Sequence, residues 1–177
     1  MSFTNVTVDP AELPRAADLE WTAMPPEYRR ESLTQSVITL AVLLIGAFGM
    51  AVVLPYPPRL NWLFAGLIPG LVILIGLIFT LLAMKKIRLQ GYAVRTHDIA
   101  YRSGLFWRKV VMLPFNRVQH VEVTSGPLQR RYGLATLKFY TAGGKSVDLR
   151  IDGLRAEDAE RLRANILARS ALAEETI

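Results

Sequence analysis

The sequence predicts an α+β membrane protein, a two-helix transmembrane hairpin followed by a barrel of about seven antiparallel strands capped by a C-terminal helix. Three observations predict it. Two apolar runs, 37–54 and 60–84, carry no charge at all. Beyond Ile87 the pattern switches to two-residue alternation broken by turn residues. The final charged stretch returns to helical spacing. Three segments follow: an N-terminal segment (1–36), the two spans with a short outer loop (37–84), and a C-terminal domain (85–177).

The N-terminal segment is polar and acidic, with a net charge of −3. It lacks the apolar stretch and small-residue cleavage pattern of a signal peptide. The first span is 18 residues long and covers roughly 27 Å as a helix, close to the hydrocarbon thickness of a bilayer. The second span covers about 37 Å and must tilt or bend. Pro69 and Gly70 lie inside it, and a kink is expected there. The connection PYPPR is short enough for a tight hairpin. Arg29 and Arg30 precede the first span, and Lys85, Lys86 and Arg88 follow the second, whereas the loop holds only Arg59. The positive-inside rule therefore places both termini in the cytoplasm. Tyr56 and Trp62 suit the outer interface, and Tyr28 the inner one. The spans carry no ionisable residue and so offer no proton or ion relay, which argues against a transporter.

The C-terminal domain carries +8 of the chain's net +6, offset by the acidic N-terminus. A basic domain favours an anionic partner. QGYAVRT and DIAYRSG read as two strands joined near His97 and Asp98, and LFWRKVVML as a third that Pro114 interrupts. In VQHVEV the offset between Val118 and Val121 predicts a bulge. LATLKFYT puts Ala135, Leu137 and Phe139 on one face. KSVDLRI does the same with Val147, Leu149 and Ile151. Gly143 and Gly144 between them signal a hairpin turn. No Walker spacing follows them, so a phosphate-cradling loop is disfavoured. In the closing helix Ala159, Leu162 and Ile166 share a face, Glu157 and Asp158 fall in the first turn, and Asp152 is placed to cap it.

Chemistry-bearing patterns are scarce. The chain has no cysteine and two histidines, His97 and His120, whose surroundings match no metal-ligand spacing. No serine sits in a nucleophile elbow. The sequence is therefore read as non-enzymatic, with no metal, cofactor, nucleic-acid partner or small-molecule substrate. The candidate contact residues are cations: Lys85, Lys86 and Arg88 after the second span, Arg108 and Lys109 after Phe106 and Trp107, and Arg131. For Arg108 and Lys109 an interfacial patch competes with the favoured reading, outward strand positions beside core aromatics. In GPLQRRYG, Gly126, Pro127, Arg130 and Gly133 are read as a structural turn whose Arg130 side chain bonds a nearby acid or carbonyl, which leaves Arg131 free for a lipid or a partner.

Taken together, DIAYRSGLF, LPFNRVQHVEV, GPLQRRYGLATLKFYTAGG and the closing helix resemble the bacterial membrane-flanked pleckstrin-homology-like family, the YdbS-like type. The pattern comprises Pro114, Arg117 and Val118; Val121 and Val123; Pro127, Leu128 and Arg130; and Gly133 to Ala135. The resemblance implies two near-orthogonal antiparallel sheets capped by a helix. It also implies a membrane-anchored scaffold for protein–protein interaction, with itself or with a related multi-domain membrane protein, in envelope stress or antimicrobial resistance. The alternative is a sensor of anionic headgroups at the cytoplasmic leaflet. Inositide-binding domains of this fold use a dense basic loop between their first two strands, and here that loop offers only Arg95, His97 and Asp98.

Overall fold

The computed structural model describes residues 19–53, 66–141 and 147–174. Arg59, Tyr56, Trp62, the outer loop and the hairpin turn at Gly143 and Gly144 lie outside them.

The first element is not a span. Thr22–Ala23 forms a short strand, β1, and α1 follows at once over Pro26–Val53. Pro26 opens α1, where its missing N–H breaks no helical bond, and Glu27 sits in the first turn. The helix α2 covers Ile68–Leu89, with Pro69 in its first turn, so the expected kink does not interrupt α2. The two helices pack on each other, and at Gly76 an added Cβ would come within 3.0 Å of Leu40. Both are long and apolar enough to cross a membrane, and neither apolar window is buried within the protein. Core helices of a soluble protein would be covered.

Lys85, Lys86 and Arg88 belong to α2 itself rather than following it. Periodicity changes at the sheet, and the helix runs on to Leu89 before the buried Gln90 turns the chain into β2 (Gly91–Val94). β2 pairs antiparallel with β3 (Asp98–Ser103), and β3 with β4 (Lys109–Pro114). β1 adds to the other side of β2, Thr22 opposite Tyr92. The sheet order is β1-β2-β3-β4. A 3-10 turn, Phe115–Arg117, buries Phe115 and leads into the second sheet. That sheet is β5 (Val118–Thr124), β6 (Leu134–Thr141) and β7 (Leu149–Arg155), in that order. The register of β5 shifts between Val118 and His120, which is the expected bulge. Among the described residues, seven strands are reached only by counting β1. They form two sheets, not a closed barrel.

The helix α4 (Ala156–Glu174) covers β5, β6, β7 and the 3-10 turn. Ala159 and Ile166 are fully buried, and Leu162 packs at the core's edge, as the helical spacing requires. Asp152 does not cap α4. It lies in β7, where it accepts from Thr136 Oγ1 at 2.8 Å and Arg150 Nε at 2.7 Å. The core centres on Ile99, Leu137, Phe139, Ile151 and Leu154. Met24, from the segment ahead of α1, is part of it.

GPLQRRYG also differs from its reading as a turn. Pro127–Arg131 is a five-residue helix, α3, with Gly126 as its N-cap. Gln129 Oε1 accepts from the Gly126 N–H at 3.1 Å, and Gly133, at φ +65°, ends the helix in the left-handed region. Arg130 contributes backbone, bonding Gly126 and Gly133, while its side chain is exposed and makes no bond among the described residues. The arginine expected to fix the turn is not what fixes it.

Candidate functional site: a basic cleft at the foot of the helices

Strand register decides which end of the domain meets the helices. Because α2 runs directly into β2, the first residue of β2 marks that end. Gly91 is paired with Arg102, at the end of β3, and Ser103 with Lys109, at the start of β4. The β3–β4 turn therefore lies at the helix end of the sheet and the β2–β3 turn at the opposite end.

At the helix end is a cleft of about 460 Å³ lined by Trp21, Arg88, Leu89, Arg102, Ser103, Gly104, Arg108, Lys109 and Val110. Four of these side chains are cationic and none is acidic. None of the four is in an ion pair among the described residues. The Arg102 guanidinium lies 4.8 Å from the centre of the Trp21 ring. Its Nε is buried and finds no acceptor among the described residues. An N–H shielded from water without an acceptor is costly, as is the mutual repulsion of four cations, and an anion would relieve both. Gly91 keeps this corner open. A Cβ there would sit 3.0 Å from the Thr22 carbonyl and 3.2 Å from Arg102 Nε.

The structure brings Arg88, Arg108 and Lys109 together and adds Arg102 and Trp21, which the sequence reading missed. The pairing of QGYAVRT with DIAYRSG held the signal for Arg102, since it sets Arg102 opposite Gly91. Nothing in the sequence marked Trp21. Lys85 and Lys86 are exposed on α2 outside the cleft, and Arg131 is exposed on α3.

Phe106 and Trp107 are not core aromatics. They are 75% and 87% exposed, in the bend between β3 and β4. Gly104, at φ +110°, starts the turn early, and a Cβ on it would fall 1.8 Å from the Trp107 carbonyl oxygen. The chain thus reverses before Phe106 can enter a strand, and β4 begins only at Lys109.

Three contacts bind the first turns of α1 to the domain. Arg155 pairs with Glu27 at 3.2 Å, Tyr28 packs against Gly153, and the Thr34 and Tyr132 hydroxyls lie 2.6 Å apart. Tyr28 is therefore held by the domain. Through Tyr132, α3 and its two arginines lie beside α1 just before its charge-free stretch. Counting outward from the Leu40–Gly76 contact sets Arg30 level with Lys86.

At the far end, Arg95 donates from Nε to Asp98 Oδ1 at 2.6 Å and from Nη2 to Oδ2. That loop spends its arginine internally. On the outer face of β5 and β6, Tyr140 donates to Glu122 at 2.8 Å with Lys138 at 3.5 Å. The Tyr140 bond, then Lys138, holds the Glu122 carboxyl below its ordinary range. Burial, reinforced by Asp152, pushes the Tyr101 hydroxyl up to about 12. No group of three or more metal-ligating side chains occurs among the described residues.

Two bare apolar helices leading into a two-sheet domain capped by a C-terminal helix define a membrane protein with a PH-like domain. The chain belongs to the bacterial PH domain family, whose model matches residues 33–170. It is 37% identical over 134 residues to the UPF0699 transmembrane protein YdbS of Bacillus subtilis (strain 168), covering 75% of this chain and 81% of that one. It is 28% identical over 103 residues to YdbT of the same organism, another UPF0699 transmembrane protein, covering 56% of this chain but 21% of that one. Among solved structures, a DUF1696 family protein with a pleckstrin-homology domain from Shewanella loihica PV-4 aligns with a TM-score of 0.37 at 15% identity, covering 46% of this chain and 70% of that one.

Proposed function

We propose that this protein is a non-enzymatic, two-span protein of the bacterial cytoplasmic membrane, with both termini in the cytoplasm, whose PH domain binds anionic lipid headgroups at the inner leaflet. One observation carries the reading: Arg88, Arg102, Arg108 and Lys109 gather without a carboxylate at the end of the domain from which the helices leave. Each cation near an anionic leaflet gains about 1 kcal/mol. The test uses the full chain in nanodiscs of phosphatidylcholine mixed with phosphatidylglycerol, followed by native mass spectrometry of the lipids that stay bound. Anionic lipid should be enriched over its bulk share on the wild type and fall to that share when all four cations are changed to Gln. Equal enrichment on both proteins, or none on the wild type, rejects the reading.

A second reading, a scaffold for a related multi-PH-domain membrane protein or a second copy, is favoured by a different feature. Among the described residues β4 is an unpaired edge of its sheet, with Val110 and Met112 44% and 45% exposed, a surface suited to strand addition. Similarity to a short part of the longer YdbT is compatible with such a pair. The role in envelope stress or antimicrobial resistance belongs to this reading. Crosslinking in native membranes should capture the partner; monomer alone, where known complexes are captured, sinks it. The lipid reading takes precedence because the aromatics assigned to the core stand outside it and the cations converge.

A further inference from the structure

We infer that the β3–β4 turn is a membrane wedge, Phe106 and Trp107 entering the interfacial zone of the leaflet through which α1 and α2 pass. The proposal rests on the membrane reading of the helices; it shares Arg108 and Lys109 with the cleft but requires no anionic lipid. Two large adjacent aromatics at 75% and 87% exposure are costly in water. They are also held out by design of the backbone. Gly104 adopts a φ of +110°, and the Trp107 carbonyl closes over it where no Cβ fits. The two rings meet edge to face, their centroids 6.5 Å apart, so the tip is one preformed apolar unit.

The occupant follows from position. Pairing of Gly91 with Arg102 and of Ser103 with Lys109 puts the turn at the end of the sheet where α2 delivers the chain. The protein's own helices thus hold the tip beside a bilayer, and no search for a second molecule is needed. Chemistry agrees with position. Trp concentrates at the headgroup level, where its ring is buried and its N–H stays wet. Arg108 and Lys109 directly follow the aromatics and reach phosphates while their stems lie along the apolar zone. An aromatic tip with a cationic collar fits a lipid surface better than a protein pocket. Inserted this way, the turn is a third point of attachment after α1 and α2, fixing how the domain is rotated over the leaflet.

The experiment uses the full chain in phosphatidylcholine nanodiscs without anionic lipid, so that failure of the headgroup reading does not affect it. Trp107 emission is isolated as the difference between wild type and W107F, and quenched either by acyl-brominated phosphatidylcholine or by aqueous acrylamide. Because the chain has no cysteine, a nitroxide on Leu105→Cys reports the same turn with both aromatics intact. Bromolipid should quench the difference emission while acrylamide does not, and the nitroxide should be reached by oxygen more than by aqueous nickel. Adding F106S and W107S should reverse that accessibility. Quenching of Trp107 by acrylamide alone, or a nickel-accessible nitroxide with the aromatics present, overturns the proposal.

Discussion

Gly153 shows how a single residue joins the helices to the domain. Its φ is +76°, and a Cβ would lie 2.2 Å from the Tyr28 ring. G153A therefore combines left-handed strain with overpacking and should cost about 2–4 kcal/mol, read as a lower thermal midpoint of the full chain in detergent. Gly133 is the contrast: its φ is +65°, but nothing lies within 4 Å of an added Cβ. G133A should cost only the conformational term, about 1–2 kcal/mol. Glu122 supplies a test by pH. Its folded carboxyl titrates below its unfolded value, so its contribution to stability is present above the unfolded pKa and lost as pH falls through the folded one. Y140F removes the largest cause. The Glu122 titration, followed by carboxyl carbon NMR, should move up toward the ordinary range, and the acid-side loss of stability should shrink.

At the scale of elements, β1 and α3 carry the corrections. Both are too short for periodicity to reveal: two residues for β1 and five for α3. β1 matters because it brings Met24 into the core and Trp21 beneath Arg102. Met24→Ala should cost about 2–4 kcal/mol, since its side chain is 6% exposed among core residues. The long elements were legible. Two charge-free runs gave both helices, alternation gave β6 but only Leu149–Ile151 of β7, with Val147 exposed ahead of the strand, and the Val118–Val121 offset gave the bulge. β4 was placed too early, because LFWRKVVML is strand-like throughout and only the backbone at Gly104 excludes its first residues.

For the whole molecule, the N-terminal segment, the foot of α1 and the C-terminal domain share packing. A fragment spanning 85–177 would lack β1, Met24 and the Tyr28 ring that covers Gly153. Amide exchange in that fragment should show β2 and β7 losing protection relative to the full chain, while β5 and β6, away from the missing pieces, keep more of theirs. The cleft cannot be complete in such a fragment either, since Trp21 is one of its walls. The candidate cations were only partly legible for the same reason. Arg88, Arg108 and Lys109 stand out as charge next to a span or an aromatic pair, whereas Arg102 becomes a cleft residue only through the register of β2 on β3.

The sequence by itself determined the class of the protein. Charge-free runs of span length have few stable solutions outside a bilayer, and two-residue alternation has few outside a half-buried sheet. Those are one-dimensional patterns, readable along the chain. The tertiary structure alone decided that Phe106 and Trp107 stand outside the core, that four distant cations share one cleft, and that this cleft lies at the foot of the helices. Those outcomes depend on strand register and on one glycine's backbone. Both are set by packing between segments far apart in the chain, which local pattern does not encode.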